Sequence, residues 1–267
     1  MQVFGIVGAG ATTLCERLAP QLDGRVATIE SLPSGATEAE TPESVSETDA
    51  VSVAYGLAPN GNWVGTGEGR DLDGLLDDLA SQCDYALLSG FPDARVPTLA
   101  LDGADAANVV AEAETAEAVD INDLAADVDS CEPHITLESL VDRVKADPLA
   151  DYAGAIATFT GRVRAKENED DERTVSLEFE KYDGVAETEM ATISEELEAR
   201  DGVHRVLMHH RVGVIEDGAD IVFVVVLAGH RTEAFRTVED GINRLKDEVP
   251  IFKKETTTEE EFWVHDR

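Results

Sequence analysis

Three of the chain's six lysines fall within ten residues, Lys246–Glu255, in the run KDEVPIFKKE. Lys246 ends a helical pattern, Pro250 breaks it, and Lys253 and Lys254 follow on an extended segment. A turn at the proline can bring Lys246 and Lys253 together. A partly desolvated lysine beside other cations has a lowered pKa and can serve as acid, base or nucleophile. Favourable charge at a helix C-terminus explains Lys246 but not the other two. Two more cationic groups stand out. In TFTGRVR, Thr158–Arg164, Arg162 and Arg164 are two apart at the end of a strand, so they share a face while Val163 packs behind. In GHR, Gly229–Arg231, His230 and Arg231 follow the apolar run Ile221–Leu227 and open a helix. Free N–H groups at a helix N-terminus, with those two side chains, make a phosphate cradle. Plainer readings are two surface arginines and ordinary capping with a solvated arginine.

The first half carries a different motif. Gly5–Thr13 reads GIVGAGATT between a strand and a helix, with the G-x-x-x-x-G-x-T spacing of a phosphate loop. Gly5, Gly8, Gly10, Thr12 and Thr13 are the candidate nucleotide contacts. The lysine expected between Gly10 and Thr12 is replaced by Ala11. The backbone can still cradle a phosphate, but the cation that neutralises the transferred group is gone, so no phosphoryl transfer is expected.

These motifs must be positioned by two domains. The chain has 267 residues, 43% of them hydrophobic, enough for two packed cores. No apolar run is long enough to span a membrane, and MQVFGIVGAG lacks the basic flank of a secretory signal. The net charge of −35 repels nucleic acid and anionic membranes, and with the scarcity of lysine it matches a surface adapted to high salt. Cys15, Cys83 and Cys131 fit neither a zinc site nor a redox pair, so no metal or cofactor is expected and a reducing cytoplasm is. Residues 1–133 hold 25 acids and four arginines; residues 134–267 hold 31 acids and 17 basic residues. The cations thus concentrate where an anion site is sought.

Residues 1–130 read as an α/β P-loop-like domain. Strands are expected at Gln2–Val7, Arg25–Glu30, Ser52–Leu57, Tyr85–Ser89 and Asn108–Ala111. Helices are expected at Thr12–Leu22, Leu72–Ser81 and Asp120–Val128. Ser31–Asp49 reads as a flexible loop, and Asp127–Pro133 as the boundary. Residues 134–267 read as α+β. Thr136 caps a first helix, Val185–Arg200 and Thr232–Glu248 form two more, and Ala165–Arg173 is a charged loop. Strands are expected at Gly154–Arg164, Thr174–Tyr182, Val203–Val212, Asp220–Leu227, Ile251–Thr256 and Phe262–Val264.

The motifs of the second half, together with LEFEKYDGVAE (Leu177–Glu187) and HHRVGVIEDGADIVFVVVLAGHRTEAF (His209–Phe235), resemble the molybdopterin synthase catalytic subunit family. That resemblance implies an α/β hammerhead fold, usually dimeric, within a heterotetramer. It implies Lys246 and Lys253 as the catalytic pair. Arg162, Val163, Arg164, His230 and Arg231 would hold the phosphate and pterin of cyclic pyranopterin monophosphate, and Lys254 and Glu255 would line the same pocket. The implied sulfur donor is a small ubiquitin-like partner whose C-terminal Gly-Gly carries a thiocarboxylate. The second half has no cysteine and cannot carry sulfur as a persulfide. In the first half, GIVGAGATTL and DYALLSGFPDA (Asp84–Ala94) resemble the molybdopterin-guanine dinucleotide biosynthesis protein B family, with Ser89 where that family has an acid. Two competing functions remain at this stage: a nucleotide-binding adapter, and an acceptor of a ubiquitin-like modifier on Lys246 or Lys253.

Overall fold

A computed structural model describes residues 1–32, 53–182, 184–258 and 261–264. The chain forms two compact units, Met1–His134 and Ile135–Arg267. Among the described residues no helix is long and apolar enough to cross a membrane.

The first unit runs β1 (Gln2–Val7), α1 (Ala11–Leu18), β2 (Val26–Glu30), β3 (Val53–Leu57), β4 (Trp63–Gly67), α2 (Leu72–Leu79), β5 (Tyr85–Ser89), β6 (Thr98–Leu101), β7 (Val109–Ala113) and α3 (Ile121–Ser130). Five strands form one sheet in the order β2-β5-β1-β6-β7, and every pairing is parallel. β1 is buried along most of its length because helices must cover both faces of a parallel sheet. Phe4, Ile6, Leu87 and Leu101 pack against Leu14 and Leu18 of α1 and Leu124 and Val128 of α3. β3 and β4 form a separate antiparallel hairpin. The expected loop Ser31–Asp49 falls almost wholly outside the described residues.

The expected boundary Asp127–Pro133 begins too early. Asp120 caps α3, its carboxylate accepting from Asn122 and Asp123 N–H groups, and the helix continues to Ser130. Val128 is fully buried one turn after Leu124, so residues 127–130 belong to a packed helix rather than a linker.

The second unit runs α4 (Leu137–Lys145), β8 (Ala155–Arg162), β9 (Thr174–Lys181), α5 (Val185–Glu198), β10 (Val203–His210), β11 (Gly213–Glu216), β12 (Asp220–Ala228), α6 (Arg231–Glu248), β13 (Ile251–Thr257) and β14 (Glu261–Val264). Thr136 and Ser139 cap α4 reciprocally, each side-chain oxygen accepting the other's backbone N–H at 3.1 Å. Two antiparallel sheets form, β10-β12-β8 and β11-β9-β13-β14. β12 is central and nearly all apolar. One face meets α5 and α6 through Val222, Val224 and Val226; the other meets α4 through Phe223, Val225 and Leu227. Burying each such side chain contributes about 1.5–3 kcal/mol. The expected strand Val203–Val212 stops at His210, and a further strand that was not expected follows it at Gly213–Glu216. Gly213, at φ 82°, redirects the chain after His210 and starts β11 in the other sheet.

Candidate functional site

α6 and β12 decide where the cations lie. β12 ends at Ala228, the chain turns at Gly229–His230, and α6 runs back over the sheet. Two contacts fix that direction. A Cβ on Gly202, beside the Ala228 end, would meet Glu233 in the first turn of α6. A Cβ on Gly241, halfway along, would meet Met208 and Val224 at 3.0–3.1 Å. The C-terminal turn, carrying Lys246, therefore returns to the Asp220 end of β12, where Asp220 pairs with Arg162.

At that end Arg162, Val163 and Arg164 line an open hollow of about 430 Å³ with Arg173, Asp217 and Gly218. Arg162 donates from Nε to the Gly218 carbonyl at 2.9 Å and lies 3.4 Å from Asp220. Arg164 pairs with Glu167 at 2.9 Å, and Arg173 pairs with Asp217. The guanidiniums are more than half exposed, so these pairs are weak and replaceable by a bound anion. Val163 is 2% exposed and packs with Leu177, Phe179 and Ile215. Its N–H goes to the Ala219 carbonyl, and its carbonyl accepts from Gly218. It forms the wall behind the arginines, with its backbone N–H already committed.

Lys246 is exposed on the last turn of α6, and Pro250 turns the chain into β13. Register places Lys253 opposite Phe179 and Glu255 opposite Leu177, on the face that packs onto the core. Lys254 faces the other way, 3.7 Å from Glu178. Alternation along a strand thus divides the three residues: Lys253 and Glu255 share a face, and Lys254 does not. Glu255 accepts a short hydrogen bond from Thr174.

Sequence reasoning missed Lys181, His210 and Glu187. Lys181 lies opposite Ile251, on the same face as Lys253 and one diagonal step away. Its side chain is only 11% exposed and pairs with Glu187 at 2.6 Å. That bond holds the Glu187 carboxyl below the usual carboxylate range. His210 is buried, edge-on to Phe179, and donates from Nδ1 to its neighbour's carbonyl at 2.7 Å. Burial, with a smaller contribution from Lys181, pushes its pKa down to about 4. It is neutral at physiological pH. The scarcity of lysine was the available signal for Lys181.

His230 and Arg231 lie at the opposite end. Arg231 opens the eighteen-residue α6 behind His230, whose side chain makes no capping bond. With Lys246 in the last turn, the separation along the helix is about 22 Å. Within one chain the structure gathers Arg162, Arg164 and Lys246 toward one end of the sheet and leaves His230 and Arg231 at the other. Among the described residues neither Lys246 nor Arg231 is in an ion pair.

The phosphate-loop candidates are also divided. Gly8, Gly10, Thr12 and Thr13 line a hollow of about 380 Å³ with Glu30 and Ser89. Gly8 has φ 100° and sits where a Cβ would strike the Leu101 carbonyl at 2.4 Å, so the loop requires glycine there. Gly5 is inside β1, paired with Leu88 and Thr98, and its missing Cβ makes room for the Thr98 hydroxyl. It is a packing residue, not a ligand. The Thr12 hydroxyl lies 2.8 Å from Ser89 Oγ and donates to Glu30 at 3.0 Å. A carboxylate therefore borders the space a phosphate would occupy.

All three cysteines lie in the first unit and are free. Burial raises the Cys15 thiol to about 12 and shifts Cys83 and Cys131 upward as well. None is a ready thiolate at neutral pH.

Comparison with known proteins gives a consistent picture. The MoaE protein family matches residues 131–248. A probable molybdopterin synthase from Haloferax volcanii is 79% identical over 267 residues, covering all of both chains. The molybdopterin synthase catalytic subunit of Halalkalibacterium halodurans is 35% identical over 136 residues, 51% of this chain and 83% of that one. The crystal structure of molybdopterin synthase from Staphylococcus aureus is 31% identical, covers 51% of this chain and 93% of its own, and superposes with a TM-score of 0.44.

Proposed function

Because this chain belongs to the molybdopterin synthase family, we propose that it is a sulfurtransferase of molybdenum cofactor biosynthesis, acting through residues 134–267. A thiocarboxylate on the C-terminal Gly-Gly of a small ubiquitin-like partner attacks cyclic pyranopterin monophosphate. Hydrolysis then frees the partner as a carboxylate, and a second round completes the dithiolene. The observation that carries this reading is the set of cations at one end of a sheet in a chain of net charge −35: Arg162, Arg164 and Lys246, with Lys253 on the strand that follows. The arginines hold phosphate oxygens. Lys246 and Lys253 move protons during thiocarboxylate attack and ring opening. Glu255, on Lys253's face, orients it; Lys254, turned away, binds at the rim. The raised thiol pKa values fit a sulfur source outside this chain.

His230 and Arg231 complete the site from a second copy. A small substrate cannot touch Lys246 and Arg231 across about 22 Å of one helix. A homodimer brings the start of one copy's α6 to the end of the other's. The first unit is read as a degenerate P-loop-like domain. The parallel sheet and glycine loop support that reading, and Ala11 with Glu30 argues against phosphoryl transfer. The test is a product assay with purified protein, cyclic pyranopterin monophosphate and thiocarboxylated partner. Molybdopterin is the expected product, and its absence under conditions where an established synthase makes it would refute the proposal.

A further inference from the structure

Lys181 sits in surroundings that suit an apolar residue better than a lysine. It lies on β9 opposite Ile251, two residues after the buried Phe179, on the face of the second sheet that packs onto the core. An ammonium taken out of water there is costly unless paired, and Glu187 supplies the pair at 2.6 Å. Stability does not explain this arrangement, because apolar groups commonly replace buried ion pairs without loss. Nor does the turn into α5 need the lysine. The second Glu187 oxygen accepts the Gly184 N–H at 2.9 Å, and the Tyr182 carbonyl accepts from Val185 and Ala186.

What the pair does is fix a positive charge. The Glu187 side chain is 47% exposed, whereas the Lys181 side chain is nearly enclosed, so water and salt screen the carboxylate more than the ammonium. The enclosed charge acts on its surroundings: after burial itself, it helps to push His210 down to about 4. Along the same face of β13 stand Ile251, Lys253 and Glu255, with Lys181, Phe179 and Leu177 across from them in that order. Lys253 thus has an aromatic ring directly opposite, a cation on one diagonal and a carboxylate two residues along its own strand. Phe179 is held edge-on by His210, and Glu255 by Thr174. We propose that Lys181 is a positioning residue for Lys253: clamped by Glu187, it repels the Lys253 ammonium from the Pro250 side of the strand and directs it toward Glu255. The inference rests on the sulfurtransferase reading, in which Lys253 moves a proton. Lys181 acts through Lys253 rather than on the substrate.

The test uses the full chain and a double variant, Lys181→Met with Glu187→Gln, which removes both charges and keeps an oxygen for the Gly184 N–H. Its melting temperature should match the parent's. With cyclic pyranopterin monophosphate and thiocarboxylated partner, its kcat should fall on the order of tenfold, as for a misplaced proton-transfer group, with KM for the precursor unchanged. Lys181→Arg, which keeps the charge and the pair, should retain most of the parent's kcat. Parent-like kcat in the double variant, a KM that rises while kcat holds, or a loss of activity that tracks a lower melting temperature would each overturn the proposal. A parent that makes no molybdopterin would refute the sulfurtransferase reading instead, so the positioning is also read without turnover. The chain has six lysines, so lysine labelled with ¹³C at Cε gives a simple spectrum, in which the Lys253 signal is the one lost in Lys253→Arg. That signal should move in the double variant while those of Lys145 and Lys166 stay in place. An unmoved Lys253 signal would overturn the proposal whatever the activity.

Discussion

If the site is shared between copies, two inactive variants should repair each other. Arg231→Ala removes a phosphate-binding guanidinium from the start of α6. Lys246→Ala removes a proton-transfer group from its end, about 22 Å away. Losing a charge-assisted hydrogen bond to phosphate costs about 1.5–3 kcal/mol, roughly ten- to a hundredfold in turnover. Losing a general acid or base costs about 10²–10⁴-fold. Each homodimer should therefore be nearly inactive. In a dimer of one copy of each, one site receives the intact Lys246 and the intact Arg231, and the other receives neither. Tagged heterodimers isolated after co-expression should show about half the wild-type turnover, and a statistical mixture about a quarter. The assay is molybdopterin formation from cyclic pyranopterin monophosphate and thiocarboxylated partner. A heterodimer no more active than the homodimers would refute the reasoning, because it would place both groups in one chain's pocket.

Three other outcomes are expected. Lys246→Ala and Lys253→Ala should each abolish most synthase activity, with Lys246→Ala changing stability by less than about 0.5 kcal/mol; Leu197→Ala, in the core beside α6, should cost about 2–5 kcal/mol in a denaturant titration. Near-normal turnover in either lysine variant removes that residue from the catalytic pair. His210 has a folded pKa of about 4, below its ordinary 6.5, so its contribution is present above pH 6.5 and lost as pH falls toward 4. The full loss is on the order of 3 kcal/mol; His210→Gln should flatten the fall in melting temperature between pH 7 and 4.5, and matching slopes would contradict the assignment. The first unit should neither bind GTP tightly nor hydrolyse it, since Glu30 borders the loop and Ala11 supplies no cation. Turnover that disappears in Thr12→Ala would overturn this.

Much of the architecture was legible because the local signals were strong. The parallel order of the first sheet followed from strands alternating with helices. Thr136, Pro148 and the apolar stripe Met190, Ile193 and Leu197 marked helices where helices stand. The misses have physical causes. Thr98–Leu101 is a four-residue strand directly after Pro97, fully buried, with no alternation to expose it. Trp63–Gly67 carries two glycines in five residues, which reads as loop. Gly213–Glu216 is a four-residue strand that opens on a glycine and joins the other sheet, too short for its alternation to show. The proposed site residues stood out by type, but their grouping in space did not. Arg231 and Lys246 are fifteen positions apart, and only a continuous helix between them shows that proximity in sequence becomes distance in space. Lys254 stands next to Lys253 in sequence and faces away from it, which the register alone reveals.

The division into two compact units has a consequence for how the molecule comes apart. Each unit has its own core, so heating should give two transitions rather than one. They should also respond differently to salt. The first unit sets 25 acids against four arginines, whereas the second sets 31 acids against 17 basic residues. Dilution out of molar salt lengthens the Debye screening length from about 3 Å to about 10 Å at 0.1 M, and self-repulsion grows most where cations are fewest. The phosphate-loop-like unit should melt first on desalting, with the proposed catalytic unit still folded beside it.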